Sequence, residues 1–191
     1  MNKEILKAVQ VLNNGGIVIF PTDTAFGIGC RINDEKAVER LFRIRKRPQN
    51  QAVPVLVNSL EMAEEYVETI PEDAQNELIK KYWPGALTIV LPCKIQKVPS
   101  LVRGGGKTLG VRMPDHEIIL SIITKVGVPI LAPSANFSGE QTPYEFGSLD
   151  PKLLKLVDYS VHGQTKAGSV STVIDVSEKP WKILREGAIR I

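Results

Sequence analysis

GIVIFPTDTAFGIG, residues Gly16 to Gly29, is the stretch whose reading decides the fold. Ile17-Val18-Ile19-Phe20 is an unbroken apolar run, the pattern of a strand buried on both faces. Pro21 cannot donate to a ladder and ends it. Thr22-Asp23-Thr24 then sets two hydroxyls and a carboxylate at the strand's carboxyl end, where open α/β sheets bind their ligands. Gly27 and Gly29 leave room for unusual backbone angles or for close approach of a ligand. Taken alone, the tripeptide reads as a polar turn. The rest of the chain decides between turn and site.

Working outward, strands and helices alternate. Ile5, Leu6, Val9 and Leu12 mark one face of a first helix that Gly15-Gly16 ends. Asn33 or Asp34 caps a second, with Ala37, Val38, Leu41 and Phe42 as its buried stripe. It runs into the basic cluster Arg43 to Arg47 and closes at Pro48. Val53 to Val57 reads as a strand, and Asn58 or Ser59 starts a short helix. Pro71 opens another helix through Tyr82, stopped by Pro84-Gly85. Leu87 to Leu91 and Leu109 to Arg112 read as strands, and the Pro-, Gly- and Lys-rich segment between them, Cys93 to Lys107, as an irregular exposed loop. Ile118, Ile119, Ile122 and Ile123 give a buried helix face. Val128 to Ala132 is a strand leading into Pro133-Ser134-Ala135-Asn136. Leu153, Leu154 and Leu156 mark a last helix, and Val173 to Asp175 and Trp181 to Leu184 the final strands. No repeat or linker interrupts the alternation, which predicts one α/β domain over residues 1–191 with a mixed sheet.

Composition bounds the function. The chain's 191 residues suffice for a sizeable core, and the 43% hydrophobic and 24% charged fractions are those of an ordinary globular domain. No apolar run approaches the ~20 residues of a membrane span, and MNKEILKAVQ lacks a signal-peptide pattern. Cys30 and Cys93 are too few for a disulfide framework or a zinc site, which points to a reducing cytoplasm. Lys and Arg number 24 against 21 Asp and Glu, so net charge alone does not imply nucleic acid.

Several chemistries are excluded. No G-x-S-x-G elbow is present, and the two histidines, His116 and His162, lie in Pro-Asp-His and Val-His-Gly contexts that do not form a hydrolytic triad. No cluster has metal-ligand spacing. Gly104-Gly105-Gly106-Lys107-Thr108 imitates the end of a phosphate-binding loop. That motif needs a glycine where Leu101 stands, a strand before it and a helix after it. What remains is a scattered set of anion-recognising groups at the ends of elements: Arg45, Lys46 and Arg47; Arg112; Ser134 and Asn136; Ser171; Arg185. Each has a bland reading as turn chemistry or surface charge. Jointly they fit a pocket for phosphates and carboxylates.

PTDT, Arg45-Lys46-Arg47-Pro48, YWPGALTIVLP, GVRMPDH, SANFSG, STVID and ILREGAI stand here in the order found in the YrdC-like family, which this chain resembles from its first helix to its last residues. The resemblance implies an open, twisted α/β sheet with flanking helices around a basic concave cleft, without the C-terminal domain of some members. It implies the family's chemistry, which joins L-threonine, bicarbonate and ATP into threonylcarbamoyl-AMP and pyrophosphate with Mg²⁺. That product serves the t6A modification of tRNA adenosine 37, so downstream tRNA threonylcarbamoyl-transferase proteins are implied partners. By position, Thr24, Arg112 and Ser171 match threonine-holding residues. Arg47, Gln51, Thr108, Ser134, Thr142 and Arg185 match ATP-holding ones. The family's K-x-R…S-x-N tetrad falls on Arg45, Arg47, Ser134 and Asn136, with Lys46 a second source of the point charge. Phosphoryl chemistry of this kind needs cations and donors that position two anions rather than a protein nucleophile.

Four residues depart from the family pattern: Arg45 for lysine, Phe26 for tyrosine, Leu56 for histidine, and Ala132 for a hydroxyl residue. Lost donors weaken discrimination for a hydroxylated substrate. Two competing readings are a module that binds double-stranded RNA or tRNA through a basic cleft, and a non-catalytic regulatory paralogue of the same fold. Aromatic residues, at 6%, offer little base stacking to the first. Arg112 is expected at a cleft mouth, contributing little to folding, with Asp115 or Asp23 as its alternative partner.

Overall fold

The computed structural model describes residues 3–191. Helix α1 (Lys3–Asn13) leads into strand β1 (Val18–Phe20), which β2 (Gly27–Gly29) joins antiparallel. Helix α2 (Glu35–Arg45) is capped by Asp34, whose Oδ1 accepts from the Ala37 N–H at 3.0 Å. Strand β3 (Val55–Leu56) is shorter than its apolar run, and α3 (Leu60–Glu64) starts on the Ser59 hydroxyl. The helix predicted from Pro71 is α4 (Glu72–Ala74), a π-helical segment (Gln75–Ile79) and α5 (Lys80–Tyr82) in direct succession. There follow β4 (Leu87–Pro92), β5 (Thr108–Arg112), α6 (Glu117–Val126), β6 (Ile130–Leu131), α7 (Pro151–Leu154), β7 (Tyr159–Ser160), β8 (Thr172–Asp175) and β9 (Lys182–Arg185). The sequence reading missed β2, whose glycines hid it, and β7, which has two residues.

Six strands form a mixed sheet in the order β6-β3-β5-β4-β8-β9, and three form a second, β2-β1-β7. Both are open, as expected. The sheets meet where β2 lies along β6 and its continuation. The Leu131 N–H donates to the Cys30 carbonyl (2.9 Å), Ile28 to Pro133 (3.0 Å) and Ala135 to Phe26 (2.8 Å). This seam explains Gly29. A Cβ there would sit 1.7 Å from the Leu131 carbonyl oxygen, so only glycine lets the two backbones approach. Gly29→Ala is therefore expected to cost about 1–3 kcal/mol or more, the range for forced overpacking. Urea unfolding reads this directly, and an unchanged midpoint would mean that the seam yields.

The two faces carry separate apolar clusters. One packs α2, α3 and the helix of residues 72–82 against β3, β4 and β5; the other packs α1 and α6 against β1 and β6. Cys30 and Cys93 are free and buried. The segment Cys93 to Lys107 is irregular and largely exposed, as expected, but it is anchored: Val98 and Val102 are in the core and the Cys93 N–H donates to the Lys107 carbonyl at 2.9 Å. Val102 further accepts from the Val53 N–H (2.9 Å), so the loop is stitched to the chain just before β3.

Candidate functional site

The opening turn is built by one hydroxyl. Thr22 Oγ1 accepts from the Thr24 and Ala25 N–H groups (3.1 and 3.2 Å) and donates to the Ala25 carbonyl (2.7 Å). This arrests the chain directly after β1 and turns the Thr24 hydroxyl toward β5. There Arg112 ends its strand beside Leu56, its registered partner on β3. Its Nη1 donates to Thr24 Oγ1 (2.8 Å), its Nε to the Gly85 carbonyl (2.9 Å), and its Nη2 pairs with Asp23. The residue is 6% exposed. Burial lowers its pKa, and the Asp23 charge and hydrogen bond oppose that shift. Of five N–H groups, three are engaged and two remain.

This corrects the placement of Arg112 at a cleft mouth. It is a buried residue, and Asp23 is its counter-ion. Asp115 instead meets Lys166 at 2.9 Å on the surface. Arg112 nevertheless keeps its access, because it lines a cavity of about 300 Å³.

Arg45, Arg47 and Arg185 line the same cavity, and no carboxylate among the described residues does. Arg45, at the last turn of α2, is 4% exposed. Its Nε donates to the Asn136 carbonyl (2.9 Å) and its Nη2 to the Asn136 Oδ1 (3.0 Å), while its Nη1 is buried with no partner among the described residues. Burial, and secondly the charge of Arg47, pull its pKa down to about 10. That is still far above neutrality, so this is a charged, under-solvated group. Arg47 is anchored by its own turn, donating to the carbonyls of Gln51 (3.1 Å) and Ala52 (2.6 Å). Arg185 forks onto Ser171, with Nε and Nη2 on its carbonyl (3.0 and 2.9 Å) and Nη2 also on its hydroxyl (3.0 Å).

Most of the residues singled out from sequence therefore converge. Thr24, Arg45, Arg47, Gln51, Arg112, Ser134, Asn136, Thr142, Ser171 and Arg185 all line the cavity. Two do not. Lys46 adopts φ +52° as the C-cap of α2, which turns its side chain away to lie 5.3 Å from the Phe137 ring. Arg45, not Lys46, brings its charge to the cavity. Thr108 opens β5 opposite Pro92, four residues or ~13 Å of strand from Arg112. Phe26, Leu56 and Ala132 are all in the cavity wall, so these departures bear on the site itself. Sequence reading missed Thr88, an inward-facing hydroxyl on β4.

The order of these groups along the chain has close parallels. Residues 10–187 match the family model of the Sua5, YciO and YrdC proteins, described as telomere recombination. The chain belongs to the Sua5/YciO/YrdC family. A relative in Pyrococcus abyssi, named threonylcarbamoyl-AMP synthase, is 39% identical over 183 residues, covering 95% of this chain and 53% of that protein. The crystal structure of P. abyssi Sua5 complexed with L-threonine superposes with a TM-score of 0.88 at 38% identity, over 96% of this chain and 54% of that one. Escherichia coli YciO superposes at 0.85 with 30% identity, over 96% and 88% of the two chains. The chain thus spans about half the length of the first of these synthase relatives.

Proposed function

We propose that this Sua5/YciO/YrdC domain is a threonylcarbamoyl-AMP synthase acting on L-threonine, bicarbonate and ATP. The observation that carries the reading is the cavity's charge pattern: four guanidiniums and a set of hydroxyls without a facing carboxylate. Such a lining suits two anions held side by side, which neither would tolerate without surrounding cations. The threonine complex of the P. abyssi relative supports the amino-acid half.

In this reading the two spare N–H groups of Arg112 take the amino-acid carboxylate, while Thr24 and Ser171 flank it. Arg47, Ser134, Thr142 and Arg185 hold the phosphates. The threonine amine and bicarbonate give a carbamate with loss of water. A carbamate oxygen then bonds to the α-phosphorus, the bond to the bridging oxygen breaks, and pyrophosphate leaves. The chain's groups orient the partners and offset charge, with the unpaired Arg45 Nη1 available to the carbamate or the phosphate. The lining offers hydroxyls but no carboxylate, so a Mg²⁺ ion would be held mainly by the nucleotide's phosphates, where it would offset their charge. The product is an activated acyl donor, which fits transfer onto tRNA by partner proteins.

Pyrophosphate release measured with each substrate omitted in turn tests the proposal. Release should need ATP, bicarbonate and one amino acid, threonine giving the highest rate in a panel. RNA binding with a steep salt dependence and no release would instead favour a binding module. Arg185 permits a separate check. Its Nε and Nη2 are spent on Ser171, and Nη1 is left to face a phosphate. Arg185→Ala should raise the ATP Kd about tenfold by calorimetry. An unchanged Kd in a folded variant removes Arg185 from the nucleotide site.

A further inference from the structure

In the β4 sequence LTIVLP, Thr88 is the one polar residue, and it is 2% exposed. A buried hydroxyl inside a strand needs a partner. The one found among the described residues is the Ser171 hydroxyl, at 2.8 Å, and both side chains line the cavity. Ser171 Oγ is also held by Arg185 Nη2 at 3.0 Å.

Proton counting gives this pair a direction. A hydroxyl has one proton and two lone pairs. Arg185 fills one lone pair of Ser171. If Thr88 donates, it fills the second, and the Ser171 proton is left with no acceptor among the described residues and faces the cavity. If Ser171 donates to Thr88, Ser171 offers the cavity a lone pair instead. A ligand with anionic oxygens beside Arg112 selects the first arrangement. We propose that Thr88 is a positioning residue that fixes Ser171 as a hydrogen-bond donor to an oxygen of the bound amino acid or its carbamate. The inference rests on the amino-acid reading of the cavity given above.

The test is a double-mutant cycle in Thr88→Val, Ser171→Ala and the pair, with Thr88→Ser as the conservative variant. Valine keeps the shape of threonine and suits a buried strand, so Thr88→Val should fold and melt close to wild type. Thr88→Val should raise the threonine KM several-fold while kcat falls less than threefold, since Ser171 keeps its proton but loses the partner that aims it at the substrate. Thr88→Ser should restore the wild-type KM. With Ser171→Ala already present, Thr88→Val should add nothing further. A wild-type KM in Thr88→Val, or full additivity in the double variant, overturns the proposal. So does a loss confined to melting temperature and active fraction with KM unmoved, the mark of a merely structural hydroxyl. Wild-type protein that binds no amino acid overturns the underlying reading as well, whereas wild-type binding with an unmoved Thr88→Val overturns this inference alone.

Discussion

Arg112→Lys is expected to weaken threonine binding about a hundredfold and to melt well below wild type. The guanidinium holds Asp23, Thr24 and the Gly85 carbonyl at once, and has two N–H groups left for a carboxylate. An ammonium on a flexible stem keeps the charge but cannot reproduce that planar fork. If it remains on Asp23, the ligand loses its hook; if it turns to the ligand, Asp23 is left buried without its partner. Two charge-assisted contacts at risk imply a loss on the order of 2–3 kcal/mol in binding. Disturbing the buried Asp23 pair adds a folding loss below the roughly 3–5 kcal/mol of removing one partner outright, because lysine keeps the charge. Asp23→Asn separates the two effects: it should lower stability while leaving the Arg112 guanidinium free to bind. Calorimetry with threonine beside the melting curve provides both readings. Normal threonine affinity in Arg112→Lys would remove Arg112 from the substrate site.

Arg45→Met should show the opposite division, activity lost and stability kept. The buried guanidinium has one nitrogen without a partner and a pKa drawn down to about 10, so the free protein is carrying an under-solvated charge. Methionine fills similar space without that desolvation, and replacing a buried charge by an apolar side chain is often neutral or stabilising. Asn136, half-buried, can turn its freed acceptors to water. Catalysis loses one preorganised cation where charge develops, which is worth about a hundredfold or more in kcat. A melting temperature at or above wild type with product formation down by that factor is the expected pair of readings. Full activity would mean that Arg45 only braces the Ser134–Asn136 loop.

Much of the fold was legible because its determinants are local. Apolar runs mark β1, β4 and β5, Asp34 and Ser59 cap their helices, and Ile119, Ile122 and Ile123 repeat at helical spacing. The β2–β6 seam was not legible, because it joins Gly27-Ile28-Gly29, already paired with β1, to the distant residues 129–135. In the loop of residues 93–107 the Pro, Gly and Lys content rightly signals an irregular exposed segment, but the anchoring of Val98 and Val102 by tertiary packing was not legible. In the site, residue types at strand ends were readable and pairings were not. Nothing in the local sequence distinguishes Asp23 from Asp115 as the partner of Arg112, or Arg45 from Lys46 as the inward cation. The left-handed turn at Lys46 settles the second choice, and it exists only once α2 has ended there. Thr88 escaped notice because a single threonine in a strand is ordinary; its meaning comes from Ser171, 83 positions away.

The central claim is that the cavity joins a carbamate, not a bare amino acid, to the nucleotide. The most direct test incubates the wild-type protein with ATP, threonine, Mg²⁺ and carbon-13 bicarbonate, and weighs the AMP adduct by mass spectrometry. The account predicts an adduct of AMP, threonine and one carbon from bicarbonate, heavier by one mass unit than that made with ordinary bicarbonate. An adduct of AMP and threonine alone, with no added carbon, or no adduct at all from folded protein, would contradict it.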